Sequence, residues 1–241
     1  RGFWGGLVGI ASTTLAVFVL FGALLLHTGA GQAFFDLSAR AGGDSPGGAA
    51  KMATIGSGLF GMINGSTVAN VATTGNFTIP MMQRLGYPHA YAGAVEAVAS
   101  TGGQLAPPIM GTAAFVMAEL LGMNYWLIVV AAIMPAALFY AAVLGTVHFA
   151  AARQDLKRMD RADLPSWAEV LSWRRTAPTI AALAGLAFGI LRGNSIELTA
   201  CLGMIFMVAA FIAVTLAEKK PLATIPRALI AALEDGGRGV V

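Results

Sequence analysis

Long uninterrupted apolar runs dominate the chain and divide it into stretches of membrane-spanning length. A helix that crosses the hydrocarbon core of a bilayer needs about 20 apolar residues. Leu7 to Leu26, Tyr125 to Phe149 and Ile196 to Ala217 satisfy this length, and Thr176 to Leu191 is a shorter fourth candidate. The pattern predicts an all-α integral membrane protein built as a multi-helix bundle.

One further apolar region is rich in residues that turn or cap helices. Residues 56–75 read GSGLFGMINGSTVANVATTG, which is uncharged but dense in Gly, Ser, Thr and Asn. The natural turn is Asn64-Gly65-Ser66, because its central glycine adopts backbone angles that other residues resist. A second helix would begin near Ser66 or Thr67, whose hydroxyls can cap free N–H groups. We expect residues 49–80 to form a helical hairpin.

A second region contains helix-breaking residues in the middle of a membrane-length stretch. Ser100-Thr101-Gly102-Gly103-Gln104 is followed by Pro107-Pro108, and this combination interrupts a helix. Residues 90–121 are therefore predicted to be a discontinuous transmembrane helix. Each unsatisfied backbone group in hydrocarbon costs several kcal/mol, so such segments survive only when buried in protein or lining an aqueous cavity.

Charge placement gives an orientation and excludes a soluble protein. Charged residues make up 11% of the chain, whereas soluble domains carry roughly a quarter. Residues 153–175 hold six Lys and Arg residues, which places this loop in the cytoplasm by the positive-inside rule. Counting the crossings back from this loop, through Tyr125–Phe149 and then Tyr91–Leu121, places both ends of residues 49–80 on the cytoplasmic side. The hairpin is therefore predicted to be re-entrant. The net charge of +3 reflects topology, and no nucleic-acid partner is expected.

These observations predict a division of the chain into five segments. The segments are 1–48, a transmembrane helix and an amphipathic connection; 49–123, a repeat containing the re-entrant hairpin (49–80) and the broken helix (90–121); 124–152, a transmembrane helix; 153–175, the cytoplasmic loop; and 176–241, two transmembrane helices and the start of a following half.

A polar hairpin tip and a broken helix at similar depth form the kind of site that transporters use. Half-helix N-termini offer N–H donors and partial positive charge, and unwound carbonyls offer oxygen ligands to cations. Small residues also let helices pack closely, which accounts for the glycines but not for the paired prolines and polar run. The candidate ion- and substrate-binding residues are Asn64, Gly65, Ser66, Thr67, Asn70, Ser100, Thr101, Gly102, Gly103 and Gln104.

Glu96 is a carboxyl inside an apolar stretch. It lies four residues before Ser100, so both side chains point along one helix face toward the break. Because a charge at this depth is costly, Glu96 is either a proton-coupling group or a protonated group that joins two helices by hydrogen bonds. The coupling ion is sodium, held by hydroxyl and carbonyl oxygens, or a proton. We expect no other cofactor or metal and no catalytic activity.

The two polar segments also resemble a known family. GSGLFGMINGSTVANVATTGNFTIPMMQRLGY, followed by AGAVEAVASTGGQLAPPIMGTAAFVMAE, is similar to the large membrane subunit of TRAP (tripartite ATP-independent periplasmic) transporters. The similarity is greatest to fused permeases that work with TAXI-type solute-binding proteins, and it covers most of residues 7–159. The hairpin-tip motif falls on Gly65, Ser66, Thr67, Ala69 and Asn70, and the break motif on residues 100–104.

This resemblance implies an elevator-type secondary transporter in the bacterial inner membrane. A moving domain would slide against a scaffold and carry an organic acid that a periplasmic binding protein delivers, coupled to an ion gradient. The family pattern contains the hairpin and break twice, and this chain contains each once, so further permease segments are expected before residue 1 and after residue 241. A membrane channel, or a subunit of a larger complex in which these motifs serve packing alone, is the alternative.

Overall fold

Helix is the only regular secondary structure in the described part of the chain. A computed structural model describes residues 13, 16–160, 164–218, 221 and 223–240. The helices in these residues are α1 (Ala16–His27), α2 (Ala30–Gly42), α3 (Gly48–Asn64), α4 (Thr67–Arg84), α5 (His89–Gly103), α6 (Thr112–Leu121), α7 (Tyr125–Arg153), α8 (Trp167–Val170), α9 (Trp173–Leu191), α10 (Ile196–Ala217) and α11 (Thr224–Val240). The predicted all-α class is confirmed.

Two of the described helices are long and apolar enough to cross a membrane. They are α7 and α10, which contain the spans predicted at Tyr125–Phe149 and Ile196–Ala217. Residues Thr176–Leu191 are helical within α9, but this helix does not reach the same apolar length. The predicted first span is described only in part, since Leu7 to Ser12 and two further residues before α1 lie outside the described residues.

The chain folds into two compact units, Phe34–Val170 and Arg1–Ala33 with Leu171–Val241. In the first unit α3 and α4 form a helical hairpin, and α5 lies against both of its arms. Small and medium apolar side chains fill the end of this three-helix core that is remote from the hairpin turn. They include Ala49, Ala50, Ala53, Met82, Tyr87, Ala92 and Val95, with Val147 contributed by α7.

The hairpin turns where the sequence predicts it. Gly65 ends α3 with φ +69°, and its N–H donates to the carbonyl of Gly61 at 2.8 Å, an αL cap that glycine adopts without strain. Ser66 has an extended backbone, and its Oγ accepts a hydrogen bond from the N–H of Ala69 at 3.3 Å. This is an N-cap, so α4 begins at Thr67 as expected.

The interruption between α5 and α6 is an ordered loop of eight residues, 104–111. It contains a cis peptide bond between Pro107 and Pro108, and Met110 has a positive φ of 59°. The loop is closed by a hydrogen bond from the N–H of Gly111 to the carbonyl of Gln104 at 2.9 Å. The hydroxyl of Tyr125 donates to the carbonyl of Ile109 and so ties the loop to the start of α7.

The predicted cytoplasmic loop is anchored at two points within the first unit. Tyr87, which follows α4, donates its hydroxyl to the carbonyl of Lys157 at 3.1 Å. Burial, with a smaller contribution from Tyr91, raises the pKa of Tyr87 to about 12, so this donor keeps its proton at neutral pH. The guanidinium of Arg40 lies over the ring of Trp167, 5.3 Å from its centroid.

In the second unit α9 and α10 pack along one another through small residues. A methyl group on Gly185 would lie 2.8 Å from Cα of Gly203, and one on Gly189 would lie 2.8 Å from Cα of Thr199. These pairs show an antiparallel close approach of the kind that small residues permit in membranes. Helix α11 packs on α1, and Asp235 accepts a hydrogen bond from His27 at 2.6 Å.

Candidate functional site: a hairpin tip against a broken helix

The tip of the α3–α4 hairpin lies directly against the loop that interrupts the next helix. The N–H of Ile109 donates to the carbonyl of Met62 at 3.3 Å. The side-chain amide of Gln104 donates to the carbonyl of Gly65, also at 3.3 Å. A methyl group on Gly65 would lie only 2.6 Å from the carbonyl oxygen of Met110. The two polar segments identified in the sequence therefore meet, and the contact is made mainly by backbone.

A close crossing of α3 and α5 holds the tip in this position. A methyl group on Gly103 would lie 2.6 Å from Cα of Gly61, and one on Gly61 would lie 2.9 Å from Cα of Gly103. Real Cβ atoms do not approach other atoms so closely. On the far side of α5, a methyl group on Gly102 would lie 2.3 Å from the ring of Phe139 in α7. Gly102 and Gly103 thus provide the space that the crossing needs.

A polar side chain at the tip makes no hydrogen bond within the described residues. The Thr67 hydroxyl oxygen is buried and has no partner among them. Asn64, which ends α3 beside the turn, is only 8% exposed. Buried polar groups are nearly always paired, so an unpartnered hydroxyl at the tip indicates a place where something else binds.

A second polar group, buried deeper in the hairpin, surrounds the carboxyl of Glu96. We call it the Glu96 cluster; its members are Ser57 from α3, Asn70, Thr74 and Thr78 from α4, and Glu96 and Ser100 from α5, and none is more than 1% exposed. Oε1 of Glu96 accepts hydrogen bonds from Ser57 and Ser100, both at 3.1 Å, and from Thr74. Oε2 accepts one from Thr78 at 2.5 Å.

The Glu96 cluster is connected to the hairpin tip through Asn70. The Asn70 amide donates to the carbonyl and to the hydroxyl of Ser57, at 2.8 and 3.2 Å. Its own backbone N–H donates to the carbonyl of Ser66, the residue that caps α4, at 2.9 Å. Asn70 therefore joins the buried carboxyl to the first turn of the helix that leaves the tip.

Seven of the ten residues predicted to bind ion or substrate fall into two groups in the structure. Asn64, Gly65, Ser66, Thr67 and Gln104 lie at the tip and the break, whereas Asn70 and Ser100 belong to the Glu96 cluster. Of the rest, Gly102 and Gly103 line the helix crossing. Thr101 is exposed and donates its hydroxyl to the carbonyl of Ala97 in its own helix at 2.8 Å.

Sequence reasoning missed three members of the Glu96 cluster, Ser57, Thr74 and Thr78. The signal for two of them was present, because Asn70, Thr74 and Thr78 recur every four residues and so share one face of α4. Ser57 lies in a run of small residues that resembles a packing motif. Only its contact with Asn70 and Ser100, across three helices, shows that it belongs to the cluster.

Comparison with known proteins identifies the family. Residues 2–238 match the model of the family described as "Tripartite ATP-independent periplasmic transporter, DctM component". The chain is 26% identical over 220 residues to the C4-dicarboxylate TRAP transporter large permease protein DctM of Pseudomonas aeruginosa, a match that covers 90% of this chain and 50% of that protein.

Two further relatives carry no functional description. The uncharacterized protein YgiK of Salmonella typhimurium is 30% identical over 103 residues, which cover 43% of this chain and 24% of that protein. The uncharacterized protein y4mL of Sinorhizobium fredii is 29% identical over 140 residues, or 58% of this chain and 33% of that protein.

The chain spans half the length of the Pseudomonas relative and less of the other two. Its apolar helices and the family match together establish a membrane protein. The chain belongs to the family of large permease components of TRAP transporters.

Proposed function

We propose that this chain forms part of the transport core of a secondary transporter that takes up organic acids across the bacterial inner membrane. The observation that carries the proposal is the buried hydroxyl of Thr67, which has no partner among the described residues and lies at a hairpin tip that abuts a broken helix. Family membership supports the general class of transport, and we propose the tip as the place where solute and ion bind.

The chemistry of the tip suits an anionic solute together with a cation. Helix α4 begins at Thr67, so its first N–H groups and its partial positive charge point to the tip, where they favour a carboxylate. The carbonyl of Gly65, the hydroxyls and the Asn64 amide oxygen offer the oxygen ligands that a hard cation such as sodium prefers. The coupling ion is accordingly sodium, a proton, or both.

The hairpin is proposed to be re-entrant and to move with the broken helix as one body. The three-helix core of α3, α4 and α5 is joined by the Glu96 cluster and by the glycine crossing, so it is fit to move without internal rearrangement. Movement of such a body against a scaffold would give alternating access by an elevator mechanism. The proposed function is transport, and no catalytic step is proposed.

The proposed partners are a periplasmic solute-binding protein of the TAXI type and the rest of the permease. The Pseudomonas relative is a large permease protein of a C4-dicarboxylate TRAP transporter, and this chain matches half of it. We propose that a second hairpin and break, outside this chain, complete the site from the other side.

Uptake by the full-length permease, reconstituted in vesicles with its binding protein, tests the proposal. Radiolabelled organic acids would be offered under an imposed sodium gradient, an imposed pH gradient, or neither. We expect accumulation above the external concentration only when the binding protein and a gradient are both present. Solute flux that needs neither would indicate a channel, and absence of flux under every condition would reject transport of these solutes.

A further inference from the structure

We propose that Glu96 carries a coupling proton, in a site separate from the hairpin tip, and that this proton is exchanged once in each transport cycle. The inference rests on the proposed transport function and adds to it the identity of a coupling ion and of its carrier. It stands on the geometry of the Glu96 cluster, in which hydroxyls from three helices converge on a single buried carboxyl.

The partners of the carboxyl suit both of its protonation states. Ser57, Ser100, Thr74 and Thr78 are hydroxyls, each of which can donate or accept a hydrogen bond. When Glu96 is ionised all four can donate to it. When it is protonated, one of them rotates and accepts the new O–H. A lysine or arginine partner would lock the charge in place, whereas a hydroxyl shell lets the proton come and go without leaving a buried group unpaired.

The hydrogen-bond partners that the described residues give the Glu96 carboxyl are all hydroxyls, and none of them is a charged group. Lys51 and Arg84 each lie six residues before or after a cluster member on α3 and α4, about 9 Å along the helix axis. The other titratable side chains on described helices packed against the cluster are Asp36 and Arg40 on α2, which contacts α3 at Gly56, His89 and Tyr91 on α5, and Tyr125, Tyr140, His148 and Arg153 on α7.

Because the hydrogen bonds to Glu96 in the described residues come from hydroxyls and not from a basic side chain, the three-helix core crosses the membrane with Glu96 protonated. Moving an ionised, fully buried carboxyl with its helices through hydrocarbon costs several kcal/mol. Protonation of Glu96 removes that cost, and release of the proton on the other side resets the cycle. This difference between the two states couples movement of the core to the proton gradient.

The spacing of the oxygens favours a proton over sodium at this position. A hard cation of about sodium's size holds its oxygen ligands at roughly 2.3–2.6 Å and therefore keeps neighbouring oxygens well over 3 Å apart. In the Glu96 cluster, Thr78 lies 2.5 Å from Oε2, and the hydroxyls of Ser57 and Ser100 lie 2.9 Å apart. These are hydrogen-bond distances, so the oxygens are in direct contact with one another. At these distances the oxygens of the Glu96 cluster leave no space for sodium between them.

A chain of hydrogen bonds also connects the Glu96 carboxyl with the hairpin tip. Ser57 contacts both Glu96 and Asn70, and Asn70 is bonded to the residue that caps α4. Reorientation of the Ser57 hydroxyl on protonation changes what the Asn70 amide meets, one helical turn from Thr67. Protonation of Glu96 therefore alters hydrogen bonding at the first turn of α4, where the proposed solute site lies.

The test uses the full-length permease with its binding protein, in vesicles that contain a pH-sensitive dye. Wild type, Glu96→Gln and Glu96→Asp are compared for accumulation under an acid-outside pH gradient, for acidification of the lumen, and for exchange of labelled against unlabelled solute at equal pH. Exchange needs no net proton movement. Glu234→Gln, which removes an exposed carboxylate on α11, is the matched control.

We expect Glu96→Gln to lose gradient-driven accumulation and lumen acidification while it keeps exchange. Glu96→Asp should keep acidification with a displaced pH midpoint, and Glu234→Gln should behave as wild type. The Glu96→Asp profile decides the matter if Glu96→Gln does not fold, because a merely structural carboxyl predicts no change of midpoint.

Three outcomes would overturn the inference about Glu96 without contradicting the proposed transport function of the wild type. They are solute uptake by wild type without proton entry, persistence of proton-driven accumulation in Glu96→Gln, and equal loss of exchange and accumulation in the Glu96 variants. Absence of every kind of uptake by wild type would instead count against the proposed function.

Discussion

The crossing of α3 and α5 makes Gly103→Ala the most sharply defined perturbation of the site. The new methyl group would lie 2.6 Å from Cα and 2.9 Å from the carbonyl carbon of Gly61, so it meets backbone that no side-chain rotation can move away. Overpacking of this kind costs about 1–3 kcal/mol. Gly93→Ala, on the same helix, is the matched control, since its methyl group meets nothing within 4 Å.

The two alanine variants should change stability in opposite directions. In a helix interior alanine is favoured over glycine by about 0.8–1.0 kcal/mol, so Gly93→Ala should raise the melting temperature slightly. Gly103→Ala should lower it by several degrees and should also reduce uptake, because separation of the helices moves the tip away from residues 104–111. Melting of the purified full-length permease and vesicle uptake measure both effects. Equal melting temperatures for the two variants would refute the close crossing.

Two further variants test the tip itself. Gly65→Ala combines a φ of +69° with a methyl group 2.6 Å from the carbonyl oxygen of Met110, whereas Gly86→Ala has a φ of +89° and open space around it; we expect Gly65→Ala to be the less stable in thermal melting by about 1–3 kcal/mol, and equal losses would contradict the tip–break contact. Thr67→Val removes a buried hydroxyl that has no partner in the described chain, so stability should hold or rise while affinity for solute or coupling ion falls in equilibrium binding. Thr73→Val, which removes a hydroxyl that donates to the carbonyl of Ala69 in its own helix, should leave that affinity unchanged, and a similar loss in both variants would dismiss Thr67 as a ligand.

Local chemistry explains why the hairpin tip could be predicted from the sequence. A glycine between Asn64 and Ser66 allows the αL cap, and the serine supplies the N-cap, so turn and helix start are both encoded within three residues. The break after Gly103 is likewise encoded by neighbouring glycines and prolines. The direction of Glu96 toward Ser100 follows from helical spacing alone, and their hydrogen bond confirms it.

Contacts between helices could not be predicted in the same way. Nothing local to Ser57 shows that it meets both Asn70 and Ser100, since this depends on the register between α3, α4 and α5. That register is fixed by the Gly61–Gly103 crossing, which pairs residues 42 positions apart in the sequence. For the same reason, sequence reasoning assigned ten residues to one site, whereas the structure separates a tip from the Glu96 cluster.

Protection of the break by solute tests most directly whether the tip and the break form the binding site. Thr101, which is exposed beside the break, is replaced by cysteine in a full-length permease from which Cys201 and every other native cysteine have been removed. Its rate of reaction with a small maleimide is measured with and without solute-loaded binding protein and the coupling gradient, with a cysteine at Thr73 as the control. We predict that solute slows labelling at Thr101 and leaves Thr73 unaffected. If the cysteine at position 101 were labelled at the same rate under all conditions, in a permease that transports, this would contradict a solute site between the hairpin tip and the broken helix.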